Sequence, residues 1–197
     1  MQPAKLNYKI YQGSTFEESF RWESQTKVYA PITSISKSAP CVITTQTPHS
    51  LPIGWRFLVI GAGGMKEINS TADNYYLATD TSSTTITINQ VNSLLYTAYT
   101  TGGVVEYNQP VPLAGLKARM QFRKSVTSTD TLYEATTDTP QIVIDLALST
   151  ILVNIPASVT QSFQFTAAVY SLELYNDAGL VIPFLTGNVS VIPEITR

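Results

Sequence analysis

The chain offers one histidine, one cysteine and one glycine-rich loop as starting points for chemistry. His49 stands before Ser50-Leu51-Pro52-Ile53-Gly54, a turn that enters a strand. A lone imidazole with no run of Asp or Glu beside it supplies neither a catalytic triad nor a set of metal ligands. Its expected work is a hydrogen bond that fixes the turn. Cys41 lies in an apolar strand pattern without a basic neighbour in sequence to draw out a thiolate, so packing is its expected role. One cysteine also excludes an internal disulfide and a Cys-based zinc site. Gly61-Ala62-Gly63-Gly64 has glycines enough for a phosphate loop. A dinucleotide fingerprint, however, runs strand, G-x-G-x-x-G, helix. Here Met65 to Ile68 reads as another strand, and a turn requiring positive φ explains the glycines. Asp145, Glu173, Asp177 and Glu194 are scattered, and their spacing defines no glycosidase pair. No catalytic residue, cofactor or metal is assigned, and a non-enzymatic protein is expected.

Two features point instead to binding. Lys117, Arg119, Arg123 and Lys124 put a basic stripe on one strand face. The plain expectation is a solvated sheet surface; the sharper one is an acidic partner, or DNA near a portal. No aromatics interleave with these cations, so a single-strand stacking platform is not expected. The net charge of −2 provides no general field for nucleic acid, and no specific nucleic-acid partner is assigned. Tyr75, Tyr76, Tyr96 and Tyr99 cluster in the middle of the chain, and tyrosine supplies rigid amphipathic area to interfaces. The candidate interface residues are therefore Tyr75, Tyr76, Tyr96, Tyr99, Lys117, Arg119 and Arg123.

The elements that must position them are strands. From Leu116 to Arg123 apolar and polar residues alternate strictly, which gives a strand one dry face and one wet face. Leu6 to Tyr11 and Phe16 to Trp22 alternate around Gly13-Ser14 and read as a hairpin, with Glu18 discordant. After Ala30-Pro31 the texture changes to short strands and frequent turns: Ile32 to Lys37, Cys41 to Thr45, Trp55 to Ile60, Tyr75 to Ala78, Thr84 to Asn89 and Val104 to Tyr107. Beyond Pro112 longer strands resume, and 156–162 is the one plausible helical turn. The predicted fold class is all-β. Residues 1–31 plus 109–197 form a discontinuous immunoglobulin-like β-sandwich, and residues 32–108 an inserted small β-barrel or sandwich. A surface loop admits such a guest without breaking the host's core strands. No apolar run approaches the roughly 20 residues of a membrane-spanning helix. The start, MQPAKLNYKI, lacks the apolar core of a signal peptide, so a soluble protein made in the host cytoplasm is expected.

Several stretches carry a resemblance. YQGSTFEESFRW, PLAGLKARMQFRKS, NIPASVTQSF, YSLELYNDAG and LTGNVSVIPEITR resemble a short β-sandwich protein from the structural gene clusters of tailed bacteriophages. In that group the central strand reads LxGYxARMQ(V/I)R and the terminus G-x-V-x-V-x-P-E-(V/I)-T-R; this chain has Leu116 where Tyr is frequent. The stretch ITSISKSAPCVITTQTPHSLPIGWRFLVIGAGGMKEIN resembles a small β-module of phage tail and fibre proteins. That module is similar to the first catalytic-cysteine half-domain (FCCH) of ubiquitin-activating enzymes. Their activity is not implied, since the adenylation domain and catalytic cysteine it needs have no counterpart in these residues. The resemblance implies a structural component of the virion. It would be a connector or decoration at the neck (collar), tail or baseplate, present in symmetric multiple copies against other virion proteins. The rival expectation is a host-surface or carbohydrate-binding module of a tail fibre, with a shallow groove in the inserted part around an exposed Tyr or Trp55.

Overall fold

The structure, a computed structural model, describes residues 2–71 and 74–195. Thr196 and Arg197 of the terminal motif lie outside the described residues. The fold is all-β. In chain order the strands are β1 (Ala4–Lys5), β2 (Tyr8–Tyr11), β3 (Phe16–Arg21), β4 (Glu23–Ile35), β5 (Cys41–Thr45), β6 (Arg56–Ile60), β7 (Tyr76–Leu77) and β8 (Asp80–Thr81). They continue with β9 (Thr85–Ile88), β10 (Val104–Pro110), β11 (Lys117–Arg123), β12 (Thr131–Thr136), β13 (Ile142–Asp145), β14 (Thr150–Ile155), β15 (Ala167–Tyr175) and β16 (Val181–Ile192). Among the described residues, helical structure is limited to a 3-10 turn, Lys66–Ile68, and one α-helical turn, α1 (Ala157–Thr160).

The chain divides into two compact units: residues 1–20, 113–146 and 150–197, and residues 21–112 with 147–149. The first is a two-sheet sandwich. Its larger sheet runs β12, β11, β15, β16 with antiparallel neighbours, and the outer edge of β16 takes both β1 and β2 in parallel. Twelve residues make β16 long enough to seat the two short strands end to end. The smaller sheet is β13, β14, β3. Alternation drives the layering: Ala118, Met120 and Phe122 of β11 and Leu172 and Leu174 of β15 are fully buried, while their sequence neighbours face outward. Aromatic rings fill the space between. Tyr8 meets Phe16 edge-on at 5.1 Å and Tyr170 at 5.2 Å, and Phe122 lies 5.4 Å from Tyr133.

The hairpin expected of residues 6–22 is not present. β2 pairs with β16 and β3 belongs to the smaller sheet. The turn through Gly13, at φ +79, carries the chain from one sheet to the other instead of back along the same one. That route is what sets Tyr8 against Phe16 across the core.

The second unit is a seven-stranded sheet in the order β7, β6, β10, β4, β5, β9, β8. It curls into a half-barrel around its own core. Phe57 and Val59 near one edge and Ile86 and Ile88 near the other all enter a single buried cluster with Trp55, Ile43, Met65 and Ile68. The curl is built by β4. Its first part, Glu23 to Pro31, pairs with β10, and its last part, Ile32 to Ile35, pairs with β5. A register shift between Ile32 and Ser34 adds the bend a bulge introduces. Pro31 therefore lies inside a strand, where β4 changes partner, and the short strand expected at Ile32 to Lys37 is the end of a longer one. The borders between the units fall at 20/21, 112/113, 146/147 and 149/150.

Candidate functional site

The lone histidine fixes its turn. His49 Nδ1 accepts the Leu51 N–H at 3.3 Å, which leaves Nε2–H to donate to the Thr85 carbonyl at 3.2 Å. Partial burial lowers its pKa from the ordinary 6.5. Cys41 is fully buried, and burial pushes its thiol pKa up, away from reactivity. Gly61 and Gly64 do adopt positive φ, +74 and +76. The strand expected from Met65 to Ile68 is instead the 3-10 turn, because Met65 and Ile68 are the buried pair and a spacing of three puts them on one side of such a turn. Among the described residues no group of three or more His, Cys, Asp or Glu could hold a metal ion.

Two of the four cations of the basic stripe are neutralised by neighbouring carboxylates. Arg119 faces Glu173 across the β11–β15 ladder, and its Nη2 donates to Glu173 Oε2 at 2.9 Å. The same guanidinium lies over the Tyr175 ring at 5.7 Å. Lys117 Nζ reaches Asp177 Oδ1 at 2.8 Å. The hydrogen bond to Glu173 raises the Arg119 pKa, and that to Asp177 raises the Lys117 pKa. Arg123 is held by neutral groups, donating to Gln121 Oε1 at 2.8 Å and to the Ser128 carbonyl at 2.7 Å. Lys124 is exposed. A groove of about 300 Å³ is lined by the Arg119–Glu173 pair, Arg123 and Val126. The sequence reading missed Glu173 and Asp177 as partners. Their signal was present: Glu173 sits on the polar side of the Leu172–Leu174 stripe, and Asp177 in the turn that follows.

The four tyrosines part company. Tyr76, Tyr96 and Tyr99 are half-buried and pack against the half-barrel core. The Tyr76 ring lies 5.9 Å from Phe57, and Tyr99 Oη is 2.9 Å from the carbonyls of both Ile32 and Gly102. Tyr75 faces outward, 47% exposed. Trp55, expected on the surface of a groove, is fully buried, with its Nε1–H donating to the Asn108 carbonyl at 3.0 Å. What surrounds Tyr75 on the outer sheet face is a set of charges unremarked in the sequence. Arg56 lies over the Tyr75 ring at 5.3 Å and forms a forked pair with Glu23, Nε to Oε1 at 3.1 Å and Nη2 to Oε2 at 2.9 Å. Asn108 Nδ2 donates to Glu23 Oε2 at 3.0 Å, and Lys27 pairs with Glu106. Between them lies a cleft of about 120 Å³. Strand register explains the grouping, since Asn108 is opposite Lys27, and Glu106 is opposite Tyr29 on β4 and Leu58 on β6.

A third place gathers residues far apart in the chain. Gln12 Nε2 donates to the carbonyls of Gln161 at 3.0 Å and Phe163 at 3.1 Å, while Gln12 Oε1 accepts the Glu194 N–H at 3.3 Å. Thr160 Oγ1 donates to the Ser14 carbonyl at 2.7 Å. One glutamine thus ties the first turn, the segment after α1 and the residues after β16 together. Beside it Tyr11, Ile192 and Ile195 line a cleft of about 300 Å³, with Ile195 95% exposed. No helix among the described residues is long and apolar enough to cross a membrane. No family model matches the chain, and no curated protein matches it.

Proposed function

We propose that the chain is a non-enzymatic structural component of a tailed phage particle, a connector or decoration at the neck, tail or baseplate. The observation that carries this reading is the Gln12 junction. The stretches YQGS, NIPASVTQSF and the PEI of the terminal motif, whose pattern resembles phage sandwich proteins, meet there through Gln12, Thr160, Phe163 and Glu194. Next to that junction Tyr11, Ile192 and Ile195 leave apolar side chains in water. A neighbouring subunit covers such a patch at little cost in ordering, because the junction already holds the backbone beneath it. Symmetric repetition then multiplies a modest contact.

The test is mass spectrometry of purified particles from the phage that carries the gene. The chain is expected there in copies that match the symmetry of the neck, tail or baseplate. Ile192→Asp with Ile195→Asp is expected to yield a folded chain that is left out of particles. Infectious particles without the chain would overturn the reading.

A further inference from the structure

We propose that the cleft beside Tyr75 on the half-barrel binds one neutral pyranose ring, the terminal hexose of a surface glycan. A pyranose has an apolar face of C–H bonds and a rim of hydroxyls, each both donor and acceptor. A site for it needs an aromatic wall and planar polar groups that give and take hydrogen bonds at once. The cleft supplies both. Tyr75 is the wall: the Arg56 guanidinium covers one face of its ring at 5.3 Å and leaves the other for the sugar. Around it stand two carboxylates, Glu23 and Glu106, one amide, Asn108, and two cations, Arg56 and Lys27. Each carboxylate already faces one cation, so the lining carries no net charge to attract or repel an ion. A neutral ligand rich in hydroxyls fits that balance; a phosphate or a sialic acid would meet Glu23 and Glu106.

Preorganisation favours the same reading. Glu106 is only 8% exposed, so the floor of the cleft is a carboxylate already held by Lys27. Glu23 is locked by the Arg56 fork and by Asn108. Little side-chain freedom remains to be lost on binding. The size is selective: about 120 Å³ lies below the roughly 300–1,000 Å³ of clefts that enclose drug-sized ligands. It takes part of one ring, with the remainder of the sugar and of a glycan outside. A ligand of a dozen or so heavy atoms then binds with a dissociation constant on the order of 1 mM, and particle-borne copies raise the avidity. The proposal goes beyond the virion reading and does not depend on where a particle carries the chain.

Saturation-transfer NMR on the full chain tests it with glucose, galactose, mannose and N-acetylglucosamine, and with sialic acid and glucose 6-phosphate as charged probes. Ring protons of at least one neutral sugar are expected to show saturable transfer. Tyr75→Ala and Asn108→Ala are each expected to weaken it at least tenfold, with unchanged circular dichroism. Tyr75 is half exposed, so its removal spares the core. No transfer to any neutral sugar would overturn the proposal, as would transfer that survives Tyr75→Ala or that is stronger for the charged probes. A failure here leaves the particle test untouched.

Discussion

The carbonyl oxygen of Leu6 occupies the place where Gly187 would carry a β-carbon. The two residues lie where the parallel edge passes from β1 to β2 alongside β16, and Leu6 N–H donates to the Thr186 carbonyl at 3.0 Å beside them. Backbone against backbone cannot rotate away. Gly187→Ala is expected to cost about 2–4 kcal/mol in chemical denaturation, mostly by unzipping the first strands. Gly115→Ala is the control. Its cost is limited to its φ of +74, since a β-carbon there meets nothing, and should be about 1 kcal/mol. Equal losses in the two variants would refute the close-approach account.

Stability should depend on pH through His49. Burial lowers its pKa below 6.5 in the folded chain, so the unfolded chain binds the proton more tightly. The contribution is fully present above pH 6.5 and declines as pH falls through the folded pKa, because burial opposes the charged imidazolium. Urea midpoints at pH 7.5 and pH 5 should differ less in His49→Asn than in the parent chain. An unchanged difference would assign the effect to other groups.

Arg119 and Glu173 should couple weakly but measurably. Their side chains are 43% and 30% exposed, so solvent screens the pair. A double-mutant cycle to alanine is expected to give about 0.5–1 kcal/mol, shrinking in 1 M salt. A salt-independent coupling would place the effect in packing over Tyr175 instead.

Tyr133 offers a stabilising change. Its hydroxyl is buried without a hydrogen-bond partner, and burial pushes its pKa up to about 12. Tyr133→Phe removes an unsatisfied polar group while keeping the ring against Phe122 and Phe163. A gain of about 1 kcal/mol in unfolding free energy is expected. A loss would mean that the hydroxyl finds water.

Much of the strand content could be read from alternation. Lys117 to Arg123 and Cys41 to Thr45 are strands because their periods of two leave no other way to bury one face. Partners are less legible, because pairing is decided by residues distant in sequence. The turn at Gly13 reads the same whether it closes a hairpin or crosses between sheets. Pro31 reads as a stop, yet β4 runs through it, since the missing N–H falls where the strand changes partner. At the surface, cations were visible and their counter-charges were not: Glu173, Glu23 and Glu106 acquire meaning only once register sets them beside Arg119, Arg56 and Lys27. The tyrosine cluster divides between core and surface for a related reason. Proximity in sequence does not say which rings point inward.

The placement of β16 also sets a timetable. Ala4 pairs with Leu185, and Tyr8 with Val189, so β1 and β2 wait on the ribosome until β16 emerges. Residues 21–112 have meanwhile emerged with nearly everything the half-barrel contains. The half-barrel can therefore mature first, with the sandwich closing only once β16 has emerged.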